Sequence, residues 1–417
     1  MNGQIEFCFE DISKESIELD WKATERWLFA CVDNYDKQLG DLTYIFVSDE
    51  YLLKMNQDHL EHDYYTDIIT FNYNQDNIIS GDLFISIDRI KDNANKNLPE
   101  FWKKHNLKVH HSNLCSEIFL PTDENHTLVC CLSSMNLHKF DEWKDTDTVE
   151  LAIFFLDAVI QEFINKGQHI KGIDDAVRFA KKSRALGLGT LGWHSYLQSK
   201  KIPFISIYAI GQTNKIFGLI RKQAELATTK LAELYGEPEW TKGYNRRNLT
   251  LMAIAPNRSS SKLAGNLSQG IEPIAANVYV DDDAKGLHIR RNPELIKVLE
   301  AKDRNIPEVW DQIIADKGSV INIRCLSEEE KDVFKTFKEI NQLELVKQAG
   351  IRQQYIDQGQ SLNLAFQQDA PAKFINQVHM TAWEVGLKAL YYFRSESILK
   401  ADGGRRDLYD ECIMCEG

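Results

Sequence analysis

The stretch Ser112-Asn113-Leu114-Cys115-Ser116-Glu117-Ile118 decides how the rest of this 417-residue chain is read. It sets a thiol between an amide two residues before it and a carboxylate two residues after it. On an extended segment, side chains at i−2, i and i+2 face one side. The spacing therefore predicts that Asn113, Cys115 and Glu117 meet a single ligand. Together they offer a hydrogen-bonder, a nucleophilic or redox-active sulfur and a general base. A buried, inert cysteine, the usual fate of a free thiol, fits the same residues, and spacing alone leaves both readings open.

Further thiols lie downstream. Cys130 and Cys131 stand in the strand-like run Leu128–Leu132. Strand neighbours point to opposite faces, so one of the two is expected beside Cys115 and the other in the core. The sequence closes on Glu411-Cys412-Ile413-Met414-Cys415-Glu416-Gly417. This C-x-x-C has no two further ligands nearby to complete a zinc site. A dithiol near a chain end suits thiol–disulfide exchange, the alternative being an accidental exposed pair. The start, Met1-Asn2-Gly3-Gln4, lacks the basic and apolar regions of a secretory signal. Eight cysteines in that setting predict reduced thiols in a cytoplasmic protein.

Other motifs are less specific. The apolar run Leu249–Ala255 leads into Pro256-Asn257-Arg258-Ser259-Ser260-Ser261. Strand, proline, then hydroxyls describes a helix start that cradles phosphate, and also an ordinary helix cap. Gly187-Leu188-Gly189-Thr190-Leu191-Gly192 is formally G-x-G-x-x-G. A dinucleotide fingerprint needs a buried strand before it and an acid about 20 residues after it. Here a charged helical pattern, Asp174–Arg184, precedes it and Ile205–Gly211 holds no acid, so that reading is rejected. Tyr391-Tyr392 closes a helical stretch expected from about Asn376, either as an aromatic helix end or as a redox-active pair. His59 and His62 form H-x-x-H without a third ligand, which reads as solvated helix histidines and not as a metal site.

Composition narrows the classes. Lys+Arg 49 against Asp+Glu 62 argues against a nucleic-acid or anionic-membrane binder. The longest apolar stretch, Leu151–Ile160, contains Asp157 and is too short to span a bilayer. Charge is uneven: residues 1–98 carry a net −12 and the remainder −1. We place a joint in the polar run Asp92–Asn97, before Pro99. Residues 1–98 read as a small α+β module, with helices near Lys22–Cys31 and Asp49–His59 and strands at Thr43–Val47, Asp67–Tyr73 and Ile78–Ile87. Residues 99–417 alternate strands with longer helices. One helix, near 148–166, carries a stripe of Ile153, Leu156, Ile160, Phe163 and Ile164. Another, near 213–235, carries Phe217, Ile220, Ala224, Ala227, Leu231 and Leu234 and stops at Gly236.

Taken together, residues 99–417 resemble the C-terminal half of the large subunit of class I ribonucleotide reductase. The motifs are Ser112–Ile118, Arg184–Gly192, Ala253–Pro256 with its serines, Gly270-Ile271-Glu272-Pro273, Arg352-Gln353, Gln360-Ser361-Leu362-Asn363, Tyr391-Tyr392 and the cysteine tail, in the family's order. The resemblance implies an α/β fold, the second half of a ten-stranded α/β barrel, with a redox-active tail at 403–417. It implies radical-based reduction of ribonucleoside diphosphates to deoxyribonucleoside diphosphates. By that resemblance Cys115 is the thiyl radical that abstracts the ribose 3′ hydrogen. Glu117 takes the 3′-hydroxyl proton and Asn113 hydrogen-bonds the ribose. Cys130 is one of two thiols oxidised as the 2′-hydroxyl leaves. Ser112 to Glu117 and Pro256, Asn257, Arg258, Ser259 and Ser260 line the substrate, the latter group at its diphosphate. Tyr391 and Tyr392 pass the radical from a metal-containing small subunit, so no cofactor is expected in this chain. Cys412 and Cys415 re-reduce the active-site disulfide and are recycled by thioredoxin or glutaredoxin.

The family's N-terminal segments, including the first barrel half, have no counterpart in this sequence, and a separately supplied first half is expected as a partner. Residues 1–98 instead resemble the N-terminal part of a YbeY-type rRNA maturation endoribonuclease, through Tyr44–Tyr51, His62-Asp63, Thr66–Phe71 and Gly81–Ser86. That family's zinc-binding histidine motif is not found here. The alternatives to a reductase are an inactive or partner-binding fusion of two truncated modules and, ranked lowest, an rRNA-processing nuclease.

Overall fold

The computed structural model describes residues 3–17, 19–34, 37–60, 65–66, 68–74, 77–89, 99–283, 286–367 and 370–395. The chain divides into two compact units, Met1–Glu100 and Phe101–Gly417.

Among the described residues, the first unit holds a four-stranded sheet and two helices of more than ten residues. Its elements are β1 (Ile5–Phe9), α1 (Trp21–Asn34), β2 (Gln38–Val47), α2 (Asp49–Leu60), β3 (Ile68–Asn72) and β4 (Ile78–Ser86). The strand order is β1-β2-β4-β3, with β1, β2 and β4 parallel and β3 antiparallel to β4. β1 was not legible as a strand: its five residues are bounded by polar ones, and parallel pairing with β2 holds it. That pairing buries one face under α1, where the Trp21 ring lies 5.1 Å from Phe7, 5.3 Å from Phe9 and 5.5 Å from Phe46. Ile45, Val47, Leu52 and Ile69 pack together between β2, β3 and α2. Asp49 opens α2, where a carboxylate complements the helix dipole. It accepts a 2.7 Å bond from Ser86 Oγ and pairs with Arg89. His59 meets Phe71 edge-on, while His62 lies outside the described residues.

The second unit is built on parallel extended runs separated by helices. After α3 (Glu100–Lys104) and the loop that carries Cys115, β5 (Leu132–Asn136) leads through α4 (Phe140–Trp143), α5 (Thr148–Gly167) and α6 (Asp174–Ser183) to β6 (Gly187–Leu191). β5 and β6 are parallel. The row continues through single parallel bridges, Leu188 to Met252 and Ile254 to Gln360, so the expected strand Leu249–Ala255 pairs only locally. Gly189 lies against this run. A Cβ there would sit 2.5 Å from the Ala253 carbonyl oxygen, which explains this glycine of the rejected dinucleotide motif as close strand packing, while Gly192 turns the chain after β6 with a φ of 79°.

α7 (Trp193–Ser199) and α8 (Ile207–Tyr235) connect β6 to the 250–254 run. α8 starts six residues before its expected position, because Ser206 caps it by accepting from Ala209 N at 3.1 Å. It ends on Gly236, which adopts a positive φ of 79°. The two predicted stripes pack together in the main core, with Phe163 half-buried at its edge and Leu234, at the end of α8, 63% exposed. α9 (Arg258–Leu263) follows. A satellite layer of β7 (Val278–Asp283), β8 (Gly286–Arg291), α10 (Pro293–Glu300), α11 (Pro307–Ala315) and α12 (Glu328–Val333) has its own core around Trp310. The chain returns through α13 (Gln342–Gln353), the 358–361 run, β9 (Leu364–Phe366), α14 (Ala372–Glu384) and β10 (Phe393–Ser395), which pairs in parallel with β9. Among the described residues, no helix is long and apolar enough to cross a membrane.

One buried charge cluster ties the helices to the runs. Asp157 of α5 receives Arg184 at 2.7 and 2.8 Å, Arg247 at 3.0 Å and Asn248 at 2.9 Å. Arg247 also donates to the Tyr235 and Gly236 carbonyls at the end of α8, at 2.9 and 2.7 Å. Burial disfavours the Asp157 charge, but Arg184 and Arg247 outweigh it and hold the carboxyl below its ordinary range.

Candidate active site

The cysteine loop is not extended. Leu114 and Cys115 form a turn and Ser116 takes a left-handed φ of 64°, so the i−2, i, i+2 alignment does not apply. Asn113 makes the turn instead. Its Oδ1 accepts from Glu117 N at 3.1 Å and Ile118 N at 3.0 Å, and its side chain also bonds the Glu117 carboxyl. Cys115 and Glu117 are buried, whereas Leu114 is exposed and Ser112 half-buried. Ser112 Oγ donates to the Asn113 carbonyl at 3.0 Å.

The 358–361 run holds this loop at several points. Gln358 Oε1 accepts from Phe119 N at 3.2 Å. Gly359 N donates to the Glu117 carbonyl at 2.7 Å. Ser361 Oγ lies 2.6 Å from the Cys115 carbonyl oxygen and 3.0 Å from Glu117 Oε2. At Gly359 the backbones approach closely, and an added Cβ would stand 2.8 Å from the Ser116 carbonyl oxygen and 2.7 Å from the Phe119 ring. Gly359→Ala is therefore expected to cost about 1–3 kcal/mol through overpacking. Amide exchange of residues 116–119 would show the loop loosened, and an unchanged exchange pattern would refute the close-approach argument.

Burial pushes the Glu117 carboxyl above its ordinary value, and bonds from Asn113, its own backbone and Ser361 offset this only in part. The two following cysteines diverge, as neighbours should. Cys131 is buried, with its Sγ 3.6 Å from the Leu156 carbonyl, and burial pushes its thiol up to about 11. Cys130 is exposed as a residue, but protein crowds its thiol, and the proximity of Glu117, Cys131 and Cys115 adds to an upward shift.

Tyr391 and Tyr392 do not end a helix. α14 stops at Glu384, and the pair lies on an extended segment leading into β10. Backbone bonds of 2.8 Å from Tyr391 N to the Leu362 carbonyl and from Leu364 N to the Tyr392 carbonyl hold it there. Their ring centroids are 4.1 Å apart, and the Tyr391 hydroxyl accepts from Cys115 Sγ at 3.5 Å. Burial, then bonds to Cys115 and Tyr392, push the Tyr391 phenol strongly upward, so it stays protonated. Asn363, missed as a site residue by sequence, anchors this strand: its Oδ1 accepts from Tyr392 N at 3.2 Å and its own N donates to Glu272 Oε1 at 2.6 Å. Both residues belong to quoted motifs, Gln360–Asn363 and Gly270–Pro273, and that was the available signal.

Pro256–Ser260 stand at the same end of the runs as the cysteine loop, since Ile254 pairs with Gln360. Asn257 has a left-handed φ of 57° and spends its amide on structure. It bridges Ser134, Thr190 and Ala255 at 2.8, 3.1 and 2.9 Å, and Ser260 Oγ donates to it at 3.2 Å. Cys412 and Cys415 lie outside the described residues. Among the described residues, no group of three or more His, Cys, Asp or Glu could hold a metal ion.

Comparison with known proteins gives the family of the chain. The family model described as "Ribonucleotide reductase, barrel domain" matches residues 23–246 and 237–393, beginning inside the first unit. The ribonucleoside-diphosphate reductase large subunit of Invertebrate iridescent virus 3 is 42% identical over 337 residues, covering 78% of this chain and 53% of the relative. The corresponding putative large subunit of Frog virus 3 is 41% identical over 333 residues, 78% of this chain and 59% of the relative. Among solved structures, the Actinobacillus ureae class Id ribonucleotide reductase alpha subunit matches with a TM-score of 0.70 at 42% identity, over 86% of this chain and 65% of that one. The chain thus spans a little over half the length of these two viral relatives. The family model, the viral relatives and the solved structure agree: the chain belongs to the ribonucleotide reductase large-subunit family, through its barrel domain.

Proposed function

We propose that this chain supplies the catalytic C-terminal part of a class I ribonucleoside-diphosphate reductase large subunit, acting in the cytoplasm. The observation that carries the reading is the line of redox-capable side chains from Tyr392 through Tyr391 to Cys115, with a 4.1 Å ring pair and a 3.5 Å hydroxyl–thiol contact. It ends at a buried carboxyl, Glu117. In this reading a small subunit with its metal centre delivers the radical through the tyrosines to Cys115. The Cys115 thiyl takes the ribose 3′ hydrogen, and Glu117, whose raised pKa suits a base working near neutrality, accepts the 3′-hydroxyl proton. The 2′-hydroxyl leaves as water while Cys130 and a second thiol become a disulfide. The Cys412/Cys415 dithiol reduces that disulfide in turn, at the expense of thioredoxin or glutaredoxin. The turn at Pro256–Ser260 receives the diphosphate on backbone N–H groups and hydroxyls, with Arg258 adding charge.

We further propose a complementary first barrel half as a partner, carrying the second cysteine and the allosteric sites. For residues 1–98 we propose a YbeY-type origin, which the separate sheet and the net charge of −12 support. The test is reduction of cytidine diphosphate by the purified chain with a class I small subunit and dithiothreitol, with and without a separately expressed first barrel half. Deoxycytidine diphosphate formed only with the added half is the expected result. No product in either arm, from folded protein, would overturn the assignment.

A further inference from the structure

Ser361 sits where the two reactive groups of the loop meet, and its hydrogen bonding poses a counting problem. Its Oγ lies 2.6 Å from the Cys115 carbonyl oxygen and 3.0 Å from Glu117 Oε2, and all three residues are buried. A serine hydroxyl carries one proton. It can donate to one of these oxygens, and toward the other it can only accept. The Cys115 carbonyl never has a proton to give, but Glu117 has one when its carboxyl is protonated.

Two arrangements follow. With Glu117 ionised, the serine proton turns to the carboxylate, where the bond is charge-assisted and stronger, and the Cys115 carbonyl loses its donor. With Glu117 protonated, the carboxyl O–H donates to Ser361 Oγ and the serine O–H donates to the Cys115 carbonyl. We propose that Ser361 is a positioning residue that transmits the proton on Glu117 to the backbone of Cys115, tightening the loop when the carboxyl is protonated and releasing it when ionised. The proposal rests on the reductase reading for the use made of that proton. The 3′-hydroxyl proton that Glu117 accepts would close the relay, and its return to the substrate would reopen it, so the proton count balances. The loop is thus held firmest during the interval in which Glu117 carries the 3′-hydroxyl proton.

Among the described residues, the groups facing Glu117 are few. Asn113 and Cys115 belong to its own loop, Ser361 to the 358–361 run, and Cys130 to the segment before β5, with Tyr391 behind Cys115. Cys130 and Tyr391 are both shifted upward, which leaves the carboxyl to titrate first among the three.

The sequence provides a clean probe, because Cys115-Ser116 is the only Cys–Ser dipeptide in the chain. Labelling the full chain with carbonyl-13C cysteine and 15N serine gives a single carbonyl–amide correlation that reports the Cys115 carbonyl. In the wild type this carbon is expected to move downfield in one transition as pH falls through the raised value of the Glu117 carboxyl. Glu117→Gln and Ser361→Ala should flatten the transition, and Ser361→Thr, which keeps the hydroxyl, should restore it. If alanine fails to fold, Ser361→Cys, a weak donor, must shrink the transition several-fold. A full-sized transition in Ser361→Ala, or none in the wild type, overturns the relay. The readout needs no turnover. A flat wild-type titration therefore sinks the relay alone, while a normal titration in a chain that reduces no substrate supports the relay and sinks only the reductase reading.

Discussion

Cys115→Ser is expected to reduce deoxynucleotide formation in the reconstituted enzyme by roughly 10³-fold or more, with fold and substrate binding intact. The serine hydroxyl is close in size to the thiol, and the loop's anchors do not involve the sulfur. They are the Asn113 amide, the Gly359 N–H and the Ser361 hydroxyl, acting on backbone and on Glu117. An alcohol O–H bond is too strong to be cleaved homolytically by a tyrosyl radical, so on the proposed route the radical has nowhere to arrive. Tyr391→Phe should give the same loss by removing the hydroxyl 3.5 Å from Cys115. In both variants, retention of substrate binding by equilibrium dialysis separates a broken radical route from a collapsed site. Residual turnover above a tenth of wild type in either one would move the chemistry away from this pair.

The largest stability effect is expected at Asp157. Removing its carboxylate leaves the Arg184 and Arg247 guanidiniums without their counter-charge in a buried site, where breaking an ion pair costs about 3–5 kcal/mol. Asp157→Ala should lower the unfolding free energy of the second unit, read from urea melts, by that amount at neutral pH. Asp157→Asn, which keeps an acceptor for part of the network, should fall between. The pH dependence carries a sign. Because the folded state holds this carboxyl below its ordinary range, its contribution is present above the ordinary aspartate pKa and is lost as pH falls through the depressed value. The difference between wild type and Asp157→Ala should therefore narrow on acidification. A gap that stays constant or widens would show that the arginines are stabilised by something else.

Much of the helical frame was legible, because burial stripes are local. The α5 and α8 stripes needed only a 3.6-residue period, and Gly236 ended α8 where a positive φ was required. The site was legible as a set of residue types and not as a geometry. Asn113, Cys115 and Glu117 looked aligned only on the assumption of an extended segment. The turn at Ser116 depends on a backbone partner at Gly359, more than two hundred residues away, which no local propensity contains. Tyr391-Tyr392 read as a helix end for a similar reason: its extended conformation is imposed by residues 362–364. Ser361, Asn363 and Glu272 lay inside quoted motifs, but their partners are visible only once the runs are paired.

The support behind the loop is largely amide. Gln358 accepts from Phe119 N while donating to the Leu186 carbonyl at 3.0 Å and to Thr250 at 3.1 Å. Gln360 accepts from Arg352 at 3.0 Å while donating to the Ala349 carbonyl at 3.0 Å and to Gln353 at 3.1 Å. Each therefore works as donor and acceptor at once, which a carboxylate cannot do. A glutamine codon lies one base from a glutamate codon, so these positions stand a single nucleotide from a charge that points lone pairs at carbonyl oxygens. In genetic terms the platform beneath Cys115 is brittle, and variants should accumulate on the exposed faces of α5 and α8 long before they appear at Gln358 or Gln360.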